Sequence, residues 1–405
     1  MIKFLTVCGI FFFHLNGRCL CDLNVVYQWN KLNLSLQEND REHRYIPENN
    51  LVYRMKIWND TLFMAIPRFK RGVPATLCRS YGGAIHPYPS LGLQKVGNCF
   101  GMQNVKDIEI DHLGHLWILD VGNVYDLEPV SNRSCDPKLF VVDLNTGYIV
   151  RSAVLPRGMY TNRSVLSGLT VDLKSLTAVV ADIGPDPGFI VYNLQIGIFH
   201  KFPCELLATA KGYNEALLTV SPIDNMLYFT TIELNSLFAI PLSVFGVPFI
   251  KDVGHYVNNQ GLKADTSTAM IMDTTGNLYL GMTRKVIAWN TLKHGFDVKE
   301  LYIQEVRLDW ISSFAFDSNG YLWIISSEFK DFRESKSKRT NMLIFKRYCG
   351  TTSFALHEVA AAGSVNHTGT TAVQRNSVNA KYTAENLIHI FTLVILHVIF
   401  ARDIL

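Results

Sequence analysis

The chain has 405 residues, of which 48% are hydrophobic and 12% aromatic, enough to build a large core. Its formal net charge is only +3, and its one basic cluster, residues 330–339, is interleaved with acids. The composition therefore indicates one large globular domain and argues against a nucleic-acid partner.

The beginning of the chain has the form of a targeting signal. Met1–Lys3 precede an apolar run from Phe4 to Leu15, and small residues follow it. We predict a secretory signal peptide over residues 1–21, which implies an oxidising, extracellular compartment. Asparagine glycosylation then becomes possible at five N-x-S/T triplets, which begin at Asn33, Asn59, Asn132, Asn162 and Asn366.

A short sequence motif recurs along the chain at intervals of 44 to 61 residues. It consists of an apolar residue, an Asp or Ser, a tight turn and an apolar strand. Two clear copies are IDHLGHLWILD from Ile110 and FDSNGYLWIIS from Phe316. The equivalent turn residues are Asn59, Asp111, Asp172, Ser221, Asp273 and Asp317. Each copy predicts a β-hairpin, because the Asp caps the turn and the strand alternates with period two. Six such hairpins predict an all-β, six-bladed β-propeller; a β-sandwich has no reason to keep this period.

No linker interrupts the stretch from Leu23 to Cys349, so we predict a single propeller domain over residues 22–350. Leu23–Leu32 is the expected closing strand of the last blade. Residues 351–386 are polar, which predicts a disordered tail. Residues 387–405 are hydrophobic and indicate a lipid-anchor signal, the only expected route to a membrane. A short spanning helix and simple secretion are alternatives, since the apolar run falls below the usual 20 or so residues.

Few cysteines remain after removal of a signal peptide. Cys78 and Cys99 bracket one loop, whereas Cys135 and Cys204 lie at the ends of outer strands in consecutive blades. We predict the disulfides Cys78–Cys99 and Cys135–Cys204; spacing alone leaves the connectivity, and the partner of Cys349, open. No CxxC pair occurs, so no metal site of the usual zinc type is expected.

Loops before the inner strands and the ends of the second strands open on the same rim of a propeller. The residues expected to converge there are Asp120, Asp182, Glu233, Glu328, Ser267, Ser312 and Ser327. Beside Trp310 and Phe329 they would suit a small aromatic amine or catechol, through charge pairing and stacking. Each Asp has an alternative role as a turn cap, and calcium is a third interpretation of the carboxylates.

Common catalytic motifs are absent: the chain has no GxSxG, no HExxH, no P-loop and no GxGxxG after a strand. His112 and His115 share a hairpin turn without a third metal ligand, and no cofactor is expected. A tautomerisation needs only a positioned acid and base, so the sequence leaves the choice between enzyme and binder open.

Several segments, in order along the chain, resemble the yellow and major royal jelly protein family of insects. They are GVPATL at 72–77, LWILDVG at 116–122, CDPKLFVVDLNTG at 135–147, ADIGPDPGFIVYN at 181–193 and STAMIMDTTGNLYLG at 267–281. The resemblance implies an extracellular protein of cuticle pigmentation and melanin chemistry, with biogenic amines bound in the central pocket of some members. The corresponding contact positions are Ser312, Ser327 and Phe329.

The chain departs from that family at two places. Leu113 stands where the family often has Cys, which removes that partner for Cys99 and favours its pairing with Cys78. Residues 326–329 read SSEF where the family commonly has SNRF.

Three functions follow as hypotheses. The first is a non-enzymatic binder of catecholamine-like ligands or of extracellular matrix proteins. The alternative is a dopachrome-converting isomerase, and a third class is a structural component of cuticle or eggshell.

Overall fold

Six four-stranded antiparallel sheets follow one another along the chain in the computed structural model. The structure describes residues 23–36, 45–133, 135–208, 213–247, 250–263, 265–293, 295–296, 301–336 and 341–353. Each sheet packs its first strand beside the first strands of its two neighbours, so the sheets form a closed ring of blades. The prediction of an all-β, six-bladed β-propeller is confirmed.

The elements alternate strand and turn with few helices. The strands are β1 (Asn24–Trp29), β2 (Arg54–Trp58), β3 (Thr61–Ala65), β4 (Leu77–Tyr81), β5 (Ala84–Pro87), β6 (Val105–Ile110), β7 (His115–Asp120), β8 (Asn123–Val124), β9 (Asn132–Arg133), β10 (Lys138–Asp143), β11 (Ile149–Val154), β12 (Leu166–Asp172), β13 (Thr177–Asp182), β14 (Gly188–Asn193), β15 (Ile198–Pro203), β16 (Ala216–Ser221), β17 (Met226–Thr231), β18 (Ser236–Pro241), β19 (Asn258–Leu262), β20 (Ser267–Met272), β21 (Asn277–Met282), β22 (Lys285–Asn290), β23 (Leu301–Gln304), β24 (Trp310–Phe316), β25 (Tyr321–Ser327) and β26 (Met342–Tyr348). The helices are α1 (Phe329–Arg333) and 3₁₀ turns at Pro47–Asn49, Gly92–Gln94, Glu205–Leu207, Leu242–Gly246 and Val253–Tyr256.

Blade one holds β2 to β5, and blade two holds β6, β7, β10 and β11. Blades three, four and five hold β12 to β15, β16 to β19, and β20 to β23. Blade six is made of β24, β25 and β26 with β1 as its outermost strand, where Trp29 pairs with Met342. The N-terminal strand therefore closes the ring as its position predicts.

The recurring motif forms the hairpin between the first and second strands of each blade. Its Asp has two roles. In blade two, one carboxylate oxygen of Asp111 accepts the backbone N–H of His115 at 2.9 Å, which caps the turn. The other accepts the indole N–H of Trp117 at 2.9 Å. Equivalent pairs are Asp273 with Tyr279 and Asp317 with Trp323. An aromatic residue six positions after the Asp thus fixes the turn to the second strand.

The disulfide pairing differs from our prediction. Cys99 is bonded to Cys135, with their Cα atoms 5.2 Å apart, so Cys78–Cys99 and Cys135–Cys204 are wrong. Cys78 lies inside β4, and both its side chain and that of Cys204 are fully buried among apolar residues. Burial raises the pKa of both thiols, that of Cys204 to about 11, which keeps them protonated and unreactive. Cys99, which is exposed, instead lies in the loop before β6, and Cys135, which is buried, lies in the loop before β10.

Peptide mapping under non-reducing conditions should recover Cys99 linked to Cys135. The bond spans 36 residues, and loops of that size are typically stabilised by about 2–4 kcal/mol, so the Cys99→Ser/Cys135→Ser double variant should unfold at lower denaturant. The Cys99→Ser single variant should lose the same amount, since either change opens the bond. A Cys78–Cys99 peptide would contradict the structure.

Predictions for the chain termini fall largely outside the described residues. The signal peptide over 1–21 and the hydrophobic tail over 387–405 belong to that part, as does Asn366. Of the polar tail, residues 351–353 are described and contact blade five, where Ser353 bridges Asp273. Among the described residues, no helix is long and apolar enough to cross a membrane.

Candidate functional site in the central channel

The first strands of all six blades line one narrow cavity on the propeller axis. Its volume is about 40 Å³, which is room for a few water molecules and for nothing larger. Most wall residues are apolar, and the polar ones come chiefly from β2, β6 and β24. The polar residues are Arg54, Lys56, Asp107, Glu109, Ser312 and Ser313 from these three strands, and Thr219 from β16.

Five charged side chains form a buried ion cluster in and above this cavity. Arg54 lies between two acids, with its Nη2 atom 2.9 Å from Glu215 Oε2 and its Nε atom 3.5 Å from Asp107 Oδ1. Deeper in the channel, Lys56 Nζ lies 2.7 Å from Glu109 Oε2. Residues two apart on a strand share a face, which explains why β2 supplies both cations and β6 two acids. Three acids against two bases leave the cluster one negative charge in excess.

Two tyrosines complete the upper part of the cluster. Glu215 accepts the hydroxyl of Tyr53 at 2.8 Å and that of Tyr213 at 2.6 Å. Desolvation, followed by the charge of Glu215, raises the pKa of Tyr213 well above 10, so this hydroxyl stays neutral and donates. Desolvation also raises the pKa of Asp107, and the charge of Arg54 opposes that rise only in part. Burial therefore favours the protonated form of Asp107, which suits this acid to exchange a proton.

An aromatic cap closes the channel mouth above these residues. Phe329 begins α1 and is fully buried. Its ring centroid lies 5.1 Å from those of Tyr53 and Trp310 and 5.2 Å from that of Tyr213. We expected this ring to face the mouth as an open stacking surface. It does sit at the mouth, but other rings already cover it, so a ligand reaches it only if the cap opens.

The two serines that accompany Phe329 in the family resemblance are separated from each other. Ser312 lines the channel cavity, and its carbonyl accepts the Arg54 guanidinium. Ser327 instead lines a surface pocket of about 510 Å³, beside Arg307 and Asp309. Both hydroxyls are buried without a hydrogen-bond partner among the described residues. Ser312 alone is placed to contact a molecule in the channel.

Asp120 and Asp182 cap the loops that precede the inner strands, which is the role that the sequence analysis gave as the alternative to ligand binding. Asp120 accepts the backbone N–H groups of Gln103 at 2.9 Å and Asn104 at 2.8 Å. Asp182 accepts the Ser164 hydroxyl at 2.6 Å and the Val165 N–H at 3.0 Å. Both carboxylates are fully buried, so the structure corrects their expected role as ligand contacts. Of the other rim acids, Glu233 is exposed and Glu328 accepts the Asn341 amide.

Ser267 is engaged by a buried lysine. Lys263 Nζ donates to Ser267 Oγ and to the Thr231 carbonyl, both at 2.8 Å. Desolvation lowers the pKa of Lys263 to about 7, and no acid in the described part of the chain compensates for it. Ser267 is thereby held as an acceptor for this amine and does not reach the channel cavity.

The Lys263 ammonium makes stability depend on pH. Its folded pKa lies below its unfolded value of about 10.4, so the unfolded chain binds more protons between about pH 7 and 10 and stability rises with pH there. In the Lys263→Met variant, denaturant titrations at a series of pH values should show no such rise in the free energy of unfolding. Lys251→Met, at an exposed site, serves as the control and should keep the wild-type slope. Equal slopes in all three proteins would refute a buried amine.

Metal ligation has no support in the described part of the chain, where no group of three or more His, Cys, Asp or Glu is placed to hold an ion. His115 Nδ1 forms a hydrogen bond with Asp111 Oδ2, at 3.0 Å, within the hairpin turn. This bond, ahead of the opposing desolvation, raises the pKa of His115. The histidine therefore supports the turn.

The fold and the channel define a six-bladed β-propeller with a buried polar site on its axis. The profile of the Major royal jelly protein family matches residues 103–349. The chain belongs to this family, as the resemblance of its motifs predicted.

Individual relatives are distant. Major royal jelly protein 5 of Apis mellifera is 25% identical over 307 residues, which cover 66% of this chain and 50% of that protein. Major royal jelly protein 6 of the same species is 23% identical over 308 residues, covering 66% of this chain and 68% of that protein. The dopaminechrome tautomerase of Drosophila melanogaster is 27% identical over 192 residues, covering 43% of this chain and 41% of that protein. The aligned region thus spans half of the first relative's length.

Proposed function

We propose that this protein is a secreted member of its family that acts in pigment chemistry by tautomerising an aminochrome, a cyclised catecholamine quinone. The similarity to a dopaminechrome tautomerase supports the reaction class. The observation that carries the proposal is the buried Arg54 held between two carboxylates at the channel mouth. Such a cluster supplies both a proton acceptor and a fixed positive charge in a site with little water.

The reaction moves two protons, one from each saturated ring carbon, to the two quinone oxygens, and it needs no oxidant. The Asp107 carboxylate would remove a proton from one saturated ring carbon, and the electron pair would pass into the quinone. Arg54 would stabilise the negative charge that develops on the quinone oxygen, which then takes the proton from Asp107. A second transfer, from the neighbouring saturated carbon to the other quinone oxygen, would complete the aromatic ring. The hydroxyls of Tyr53 and Tyr213 hold Glu215, and so fix Arg54, through the 2.8 Å and 2.6 Å bonds described above.

Substrate access requires the aromatic cap to open. A cavity of about 40 Å³ is too small for a bicyclic ring, so the substrate would displace Phe329 and enter from above. The single excess negative charge of the cluster favours a neutral or cationic ring over one that carries a carboxylate. Dopaminechrome, which has no carboxylate, is therefore the probe of choice.

The test is the decay of dopaminechrome with purified protein. We expect acceleration by the wild type and a loss of about 10²- to 10⁴-fold in Asp107→Asn, the usual worth of a general acid or base. The Asn side chain keeps an oxygen that can accept the Leu169 N–H, which in the wild type donates to Asp107 at 3.0 Å. Glu233→Gln, an exposed acid on the same rim, is the matched control and should keep full activity. If the wild-type protein leaves the rate of dopaminechrome decay unchanged, the proposed enzymatic activity is refuted.

A second candidate is a binder of aromatic amines without catalysis. The excess negative charge below a cap of four aromatic rings favours it, because aromatic cations pair with carboxylates and stack on rings. Calorimetric titration with dopamine or serotonin should then saturate while dopaminechrome decay stays unchanged. A protein that shows neither response would instead fit the third hypothesis, a structural partner of extracellular matrix proteins.

A further inference from the structure

A second cleft lies on the outside of the propeller, where the ring closes. It has a volume of about 540 Å³ and separates β1, the closing strand, from the outer half of blade one. One wall carries Tyr27 and Trp29, which share a face of β1. Their rings stack in parallel, with centroids 5.2 Å apart and planes 11° apart. The far wall carries Tyr81, whose side chain is 72% exposed.

Two of the glycosylation triplets open into this one cleft. Asn59 lies in the exposed two-residue turn between β2 and β3, where it and Asp60 have φ values of 45° and 61°. Asn33 lies on the chain that crosses blade one, held there by the bridge of Leu34 to Ile85. Among the other described triplets, those at Asn132 and Asn162 lie outside the cleft.

The walls fit a sugar rather than an apolar partner. A pyranose ring has one face of C–H groups that packs on aromatic rings, and a rim of hydroxyls that needs polar partners. Asp60, Ser80 and the two asparagines supply that polar rim beside the parallel rings. A cleft with a stacked aromatic pair in one wall and an acceptor asparagine at its edge matches the proximal N-acetylglucosamine units of an N-linked glycan.

We propose that an N-linked glycan on Asn59 lies in this cleft, with its first sugars packed on Tyr27 and Trp29, and so joins the closing strand to blade one. The inference rests on secretion, which is part of the proposed function, but not on the chemistry of the channel. A protein that carries no glycan at any of its triplets would point to failed secretion. An Asn162 glycan without one on Asn59 would overturn this inference alone.

The experiment uses full-length protein secreted from insect cells, with occupancy read by mass spectrometry of glycopeptides. Native protein is digested with an endoglycosidase that cuts between the first two sugars. Packing against the stacked aromatic pair should slow cleavage at Asn59 by about two- to tenfold relative to the Asn162 glycan, the range that aromatic contacts provide. The protection should vanish in Tyr27→Ala/Trp29→Ala. Should that variant fail to fold, Tyr81→Ala tests the far wall, since its exposed ring has no core role.

Thermal unfolding provides an independent readout. Thr61→Val removes the triplet while keeping a β-branched residue at the start of β3, so the turn at Asn59 is preserved. We expect a lower melting temperature in Thr61→Val and no change in Asn162→Gln, the control at an exposed triplet outside the cleft. Equal cleavage of both glycans, or saturable binding of free chito-oligosaccharide to protein whose Asn59 glycan is intact, would overturn the proposal.

Discussion

Replacing Phe329 with alanine is expected to lower the free energy of unfolding by about 3–5 kcal/mol, as for other fully buried aromatic rings. The ring has no exposed surface and contacts five aromatic neighbours, Tyr53, Phe69, Tyr213, Trp310 and Phe332. Its removal leaves a cavity at the channel mouth and loosens the rings above Glu215. Denaturant titration of the purified variant measures the change.

Phe100→Ala is the matched control, because that ring is 92% exposed and the same substitution there should cost about 0.5 kcal/mol or less. A wild-type midpoint for Phe329→Ala would show that the cap is loose and open to ligands. The expected result is instead that a ring predicted from the sequence as a ligand contact is also part of the core.

The fold was predictable because its signal repeats. A polar turn residue, Asp in four of the six copies, recurs with a tight turn and an alternating strand, and each copy forms the hairpin of one blade. The role of Leu23–Leu32 as closing strand also follows, since a ring needs a last partner. Disulfide pairing was not predictable, because it depends on which loops meet in space. Cys99 meets Cys135 across two loops of the same rim, whereas Cys78 points into the core from β4.

The site was only partly predictable, and for a physical reason. Asp120 and Asp182 stood out because they end strands, yet that position also lets them cap the loops beside them. The ion cluster was not predicted by the sequence analysis, although charged residues alternate in Arg54-Met-Lys56 of β2 and Asp107-Ile-Glu109 of β6. An alternating charge on an inner strand places that charge in the channel. Pairing across blades, such as Arg54 with Glu215, has no signal in a single sequence.

The largest electrostatic effect is expected at Arg54. Changing it to methionine should destabilise the protein by about 3–5 kcal/mol near neutral pH, because Asp107 and Glu215 remain buried without their counter-charge. The loss should shrink in acid. An isolated buried carboxylate has a folded pKa above its unfolded value, so the folded variant takes up protons first and gains stability as pH falls. Denaturant titrations at pH 7 and pH 5 provide the comparison.

Two further variants separate charge from packing. Arg157→Met removes a guanidinium whose side chain is 85% exposed in its ion pair with Asp136, and it should change stability by less than about 1 kcal/mol. Arg54→Met/Glu215→Met removes one of the two stranded acids, so it should be more stable than Arg54→Met alone. A double variant no better than the single one would mean that the guanidinium acts through its hydrogen bonds to the Tyr53 and Ser312 carbonyls rather than through its charge. In the expected case, the charge of Arg54 offsets the charges of the two acids on either side of it, and the proposed proton transfer depends on that balance.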